Sequence, residues 1–102
     1  MVVDLKANEV VLKAGSSDFY TKEEKVSGKL ILTNQRVYFK TVSDQENQHN
    51  LEIMPEDIRE IMYFNTMKIL PNGLNIITKE GDELRFKIGK RNSWGKALNQ
   101  IY

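Results

Sequence analysis

Apolar and polar residues alternate in short runs along most of the 102-residue chain, and only its last stretch changes period. From Glu9 to Ala14, and again from Val26 onward, the apolar residues are often β-branched and bounded by Gly, Ser or Asn, which predicts strands rather than helices. The most informative stretch is Gly28 to Lys40. Gly28, Leu30 and Leu32 alternate with Lys29, Ile31 and Thr33, and Val37 and Phe39 alternate with Arg36, Tyr38 and Lys40. A two-residue turn at Asn34-Gln35, with Asn34 taking positive φ, sets Leu32 opposite Val37 and Leu30 opposite Phe39 on the core side. In the same register Lys29 faces Lys40, both outward.

Ser43 to Asn50 is wholly polar and reads as an exposed loop. Leu51 and Ile53 alternate as a further strand, Pro55-Glu56-Asp57-Ile58 suits one helical turn, and Ile61 to Phe64 resumes the sheet. Pro71-Asn72-Gly73 is the strongest local turn signal, since Asn-Gly accepts positive φ at both positions of a type I′ turn, and it pairs Ile69 with Ile76. A three-residue loop at Lys79-Glu80-Gly81, left-handed at Gly81, sets Ile76 opposite Leu84 and Leu74 opposite Phe86. After Ile88-Gly89, Trp94, Ala97, Leu98 and Ile101 fall on one helical face, with Asn92 or Ser93 as the cap. The expected fold is therefore mainly β (α+β), an antiparallel barrel or sandwich of about seven strands closed by one C-terminal helix. A sheet with the helix across one face is the alternative. Nothing divides the chain, so 1–102 is read as one domain.

Fifteen Lys and Arg against fourteen Asp and Glu give a net charge of +1, so recognition by charge must be local. There is no Cys, which excludes disulfides and thiolate chemistry and suits a reducing compartment, with the cytoplasm as the default. The N-terminus lacks a secretion signal and no run approaches the roughly 20 apolar residues of a spanning helix, so the chain is expected to be soluble. The helical pattern runs to Ile101-Tyr102, as it would in a chain that continues.

Gly28-Lys29-Leu30-Ile31-Leu32-Thr33-Asn34-Gln35-Arg36-Val37-Tyr38-Phe39 resembles the signature hairpin of GRAM domains. The pattern is a Gly, an aliphatic strand, Thr-Asn, a basic residue and a strand ending in Phe. Ile58 with Ile61, then Pro71 to Ile76, Phe86 and Trp94 follow in the same order, so the resemblance spans roughly Glu9 to Tyr102. It implies the pleckstrin-homology-like fold and a non-enzymatic role in binding proteins or lipids, without fixing a ligand.

The candidate sites are few. Lys22, Lys25, Lys29 and Lys40 form one basic group expected near one rim, where pleckstrin-homology-like folds commonly bind phosphoinositide headgroups; Arg85, Lys87, Lys90 and Arg91 form a second. Both compete with the plain reading of solvated lysines. Met62, Tyr63 and Phe64 are unusually apolar, and Tyr63 and Phe64 cannot both face inward in a regular strand, which suggests a protein contact or a homo-oligomer surface unless a bulge turns both inward. Tyr38 near Lys29, Lys40 and Arg36 could stack a base, but the balanced charge argues against nucleic acid. Asp44, Glu46 and His49 are metal-capable yet sit in the polar loop, and no nucleophile motif or phosphate loop occurs. The sequence thus points to a non-catalytic binding module that needs no cofactor, first for a protein partner and alternatively for an anionic lipid.

Overall fold

The structure is a computed structural model and describes residues 5–42 and 50–102. Its strands are β1 (Val11–Tyr20), β2 (Lys25–Thr33), β3 (Val37–Thr41), β4 (Leu51–Ile53), β5 (Ile58–Thr66), β6 (Leu70–Thr78) and β7 (Glu83–Ile88), followed by helix α1 (Arg91–Leu98). A 3-10 turn at Pro55–Asp57 joins β4 to β5, as the Pro and acids predict. All seven strands pair antiparallel in one curled sheet of order β4-β3-β2-β1-β7-β6-β5, so β1 and β7 join the two meanders.

The inner face of the sheet buries Leu30, Leu32, Val37, Phe39, Leu74, Ile76 and Phe86. Phe19, Phe39 and Phe86 meet as a triangle with centroids 5.2 to 5.7 Å apart, from one strand on each side of the β1 seam and β1 itself. α1 lies against β5 and β6 and buries Trp94 and Leu98 in the same core, with Lys13 of β1 above the indole at 5.7 Å. The helix therefore reaches across the open side of the curl. Complete burial of such side chains is worth roughly 1.5–3 kcal/mol each, which makes this interior the main source of cohesion.

The β2-β3 register is Leu30 with Phe39 and Leu32 with Val37, and β6-β7 pairs Leu74 with Phe86 and Ile76 with Leu84, both as read from the sequence. Gly81 is left-handed at φ 96°. Four local expectations need correction. The first strand extends to Tyr20, well past Ala14, because β1 must reach β7 as well as β2. Asn34 does not take positive φ, since its side chain is used to hold the N-terminal segment. The α1 N-cap is Lys90, itself left-handed at φ 57°, with no side-chain cap from Asn92 or Ser93.

The fourth correction is the largest. Pro71-Asn72-Gly73 is not a turn but lies within β6, and the reversal falls on Met67-Lys68-Ile69, with Met67 and Lys68 at φ 49° and 68°. Ile61, not Ile69, pairs with Ile76. The longer hairpin gives Ile58 to Thr66 a full ladder, so tertiary pairing overrides the local turn preference. Gly73 has a different use: a Cβ there would stand 2.4 Å from the Phe64 carbonyl oxygen and 2.5 Å from its ring, so only glycine lets Phe64 lie across it.

Candidate functional site

The polar residues of the β2-β3 turn are committed to structure, Thr33 and Arg36 in the interior and Asn34 and Gln35 at the surface. Arg36 and Glu9 are 6% and 7% exposed, and the Arg36 guanidinium donates to Glu9 at 2.9 and 3.2 Å and to the Glu52 carboxylate. The Thr33 hydroxyl donates to Glu9 at 2.6 Å and accepts from the Gln35 and Arg36 amides. Asn34 and Gln35 bind the backbone of Ala7, Asn8 and Val10. The Arg36 hydrogen bonds hold the Glu9 carboxyl down at about 2, against the opposing effect of burial, with help from Thr33 and the Lys6 amide. Arg36 lies 5.2 Å from the ring of Tyr38, the residue suggested for stacking a base, while its guanidinium is committed to Glu9 and Glu52.

The outer face of the sheet is different in kind. Of the four lysines read as one rim cluster, Lys25, Lys29 and Lys40 share this face but spread along it: Lys29 and Lys40 are directly paired, while Lys25 lies four positions from Lys29, about 13 Å along the strand. Lys22 stands at the tip of the β1-β2 loop, which the Thr21 hydroxyl closes by bonding the Glu24 amide and carbonyl. Lys25 is 3.9 Å from Asp18.

What the sequence kept apart, β1 brings together. Tyr20 pairs with both Lys25 and Arg85, Asp18 with both Ser27 and Lys87, and Ser16 with Lys29. Directly paired residues point to the same side, so Lys25, Lys29, Lys40, Arg85 and Lys87 all project outward from four adjacent strands. Asp18 and Glu83 are acids on the same side; Asp18 accepts from the Ser27 hydroxyl at 3.1 Å, and Glu83 precedes Arg85 by two residues on β7. At the Lys87 end of this face an open groove of about 430 Å³ is lined by Ser16, Asp18, Ser27, Val42, Asn72 and Lys87, and Lys87 is the cation of the five that enters its lining. The Ser17 hydroxyl donates to the Lys87 carbonyl at 2.8 Å. The arrangement offers ammonium groups to an anion, with the Ser17 and Ser27 hydroxyls held by the Lys87 carbonyl and by Asp18.

The second basic group divides. Arg85 stacks on Phe64 at 4.4 Å beside Tyr20, whose phenol is pushed up by burial and by the Asp18 charge. Lys87 lines the groove. Lys90 and Arg91 stand instead at the start of α1, where Arg91 donates to the Phe64 carbonyl at 2.8 Å and lies 4.7 Å from the Tyr63 ring.

Tyr63 and Phe64 point to opposite faces rather than both inward. Tyr63 rests against Gly95 of α1 and Phe64 covers Gly73 outside, while Met62 is 51% exposed. The cluster of Asp44, Glu46 and His49 lies outside the described residues; among those described, no group of three metal-capable side chains assembles. No helix among the described residues is long and apolar enough to cross a membrane. The convergence of the two basic groups was not legible from the chain, because it depends on β1 pairing with β7 nearly seventy residues away.

Comparison with known proteins agrees with this architecture. Among curated proteins none matches. Solved structures match at low identity: the C-terminal domain of an unknown protein from Leishmania infantum (TM-score 0.80, 18% identity, 93% of this chain and 85% of that one), and the Vps36 N-terminal PH domain (0.70, 17%, 95% and 84%). The Slm1 PH domain in complex with inositol-4-phosphate also matches (0.66, 13%, 89% and 96%). These likenesses support a pleckstrin-homology-like fold. The GRAM domain family model matches residues 2–94. With the hairpin, the curled seven-stranded sheet and the closing helix in place, this chain belongs to the GRAM domain family.

Proposed function

We propose that this GRAM domain is a non-catalytic, peripheral membrane module whose outer β3-β2-β1-β7 face binds the phosphorylated or otherwise anionic headgroup of a lipid. The observation that carries the reading is the convergence of Lys25, Lys29, Lys40, Arg85 and Lys87 on one side of four paired strands. Like charges directly opposite, as Lys29 and Lys40 are, weaken a sheet by a few tenths of a kcal/mol or more unless solvent or an anion lies between them. The ammonium groups supply the donors, three each, because the Ser17 and Ser27 hydroxyls already donate to the Lys87 carbonyl and to Asp18. Related folds support the ligand class, since Slm1 PH domain structures hold phosphoserine and inositol-4-phosphate.

A protein partner is the second reading, and Met62, 51% exposed on the same side of β5 as Phe64, is the observation that favours it. Vesicle cosedimentation separates the two. Lys29→Glu with Lys87→Glu is expected to weaken binding to phosphoinositide-containing vesicles by at least about tenfold, taking roughly 1 kcal/mol per cation near an anionic surface. Equal binding by the double variant and the parent would remove the headgroup reading.

A further inference from the structure

The β5-β6 hairpin ends in a tip that the headgroup face does not explain. Met67 and Ile69 are 82% and 78% exposed, and Leu70 is exposed beside them. A reversal built on Met67 and Lys68 at positive φ is a strained choice for residues with a Cβ, where Asn-Gly would be relaxed. Strain and exposed apolar surface at one point are the marks of a segment shaped for contact rather than for folding.

The surroundings select the occupant. No Asp or Glu occurs from Ile61 to Lys79 or from Leu84 to Tyr102. Lys68 sits in the tip, and Lys90 and Arg91 stand beside its base, where Arg91 bonds Phe64 and Asn65 and a shallow depression joins Pro71 to Lys90 and Arg91. Asn72, just behind the reversal on β6, accepts from the Thr66 hydroxyl and also lines the basic groove with Gly89. The tip therefore projects from the rim of the face already proposed to meet headgroups. An apolar point collared by cations matches an anionic leaflet, in which the side chains enter the acyl boundary and the lysines stay at the phosphates. The geometry points to Met67 and Ile69 as a wedge that inserts into an anionic bilayer, an inference that rests on the peripheral-membrane reading and adds the depth and orientation of docking.

Because the chain has no cysteine, Met67→Cys and Glu56→Cys each carry one environment-sensitive fluorophore. Glu56 is exposed in the 3-10 turn, and neighbouring Asp57 bonds Lys79 at the opposite end of β6 from the tip. With phosphatidylcholine vesicles containing phosphatidylserine, the probe at 67 is expected to shift to the blue and the probe at 56 to stay unchanged. Met67→Ser with Ile69→Ser is expected to weaken cosedimentation at least about tenfold while leaving binding of a soluble inositol phosphate and the urea midpoint as they were.

An unshifted probe at 67 on vesicles that still pellet the protein would overturn the wedge and spare the headgroup face. Failure of the parent chain to pellet with any anionic vesicle would overturn both. A concentration-dependent dimer in vesicle-free buffer, abolished by Ile69→Ser, would assign the tip to a second copy instead and overturn the inference.

Discussion

The two hairpins of this domain invert each other's chemistry. At the β2-β3 turn, charged and polar side chains are buried and mutually satisfied: Glu9, Arg36 and Thr33 are all below a tenth exposed and bonded to one another. At the β5-β6 turn, apolar side chains stand in solvent on a strained backbone. The first is organised to hold the chain together and the second is not, so the turn of the family hairpin is structural, while the strands leading into it carry Lys29 and Lys40 of the proposed headgroup face.

Removing the cation from the buried network should give the largest effect. Arg36→Met leaves Glu9 buried with a charge and no guanidinium, and is expected to lower unfolding stability by about 3–5 kcal/mol, read from the urea midpoint. Adding Glu9→Gln should recover part of it, because the stranded charge is then gone. A loss below about 1 kcal/mol would show that the network holds nothing together.

The same network sets an acid limit. A Glu9 carboxyl at about 2 when folded, against 4.5 as the ordinary value, binds its proton more readily in the unfolded chain. Its stabilisation is therefore fully present above roughly pH 5 and is lost as pH falls through 2, with a total on the order of 3 kcal/mol. Glu9→Gln should flatten that part of the acid limb, and an identical slope in the variant would place the titration elsewhere.

The β5-β6 tip should respond in the opposite sense. Met67→Asn with Lys68→Gly relaxes both positive-φ positions and is expected to raise stability by about 0.5–1 kcal/mol, visible as a higher urea midpoint. A lowered midpoint would mean that the tip side chains contribute to folding, and the contrast between the hairpins would fail.

The distribution of what was legible follows from the same contrast. Leu30 with Phe39 and Leu74 with Phe86 could be read because strand alternation and a turn of known length fix a register locally. The Met67-Lys68 reversal could not, because Asn72-Gly73 carries the stronger local signal and only the ladder from Ile58 to Thr66 outweighs it. Gly28 was visible as part of the hairpin pattern, but its reason is not: a Cβ there would stand 2.4 Å from the Lys40 carbonyl oxygen and 2.6 Å from the Phe39 ring. Likewise Lys29 opposite Lys40 was open to a register argument, whereas Lys87 beside Asp18 required knowing which strands meet across the seam.

If one outer face, assembled by β1 from two distant basic segments, receives an anion, titration with a soluble inositol phosphate should move backbone amide resonances at Ser16 to Asp18, Ser27 to Lys29 and Lys87 to Gly89 together, with one affinity. Shifts confined to the groove between Glu52 and Asp82, or none at saturating ligand, would rule that face out.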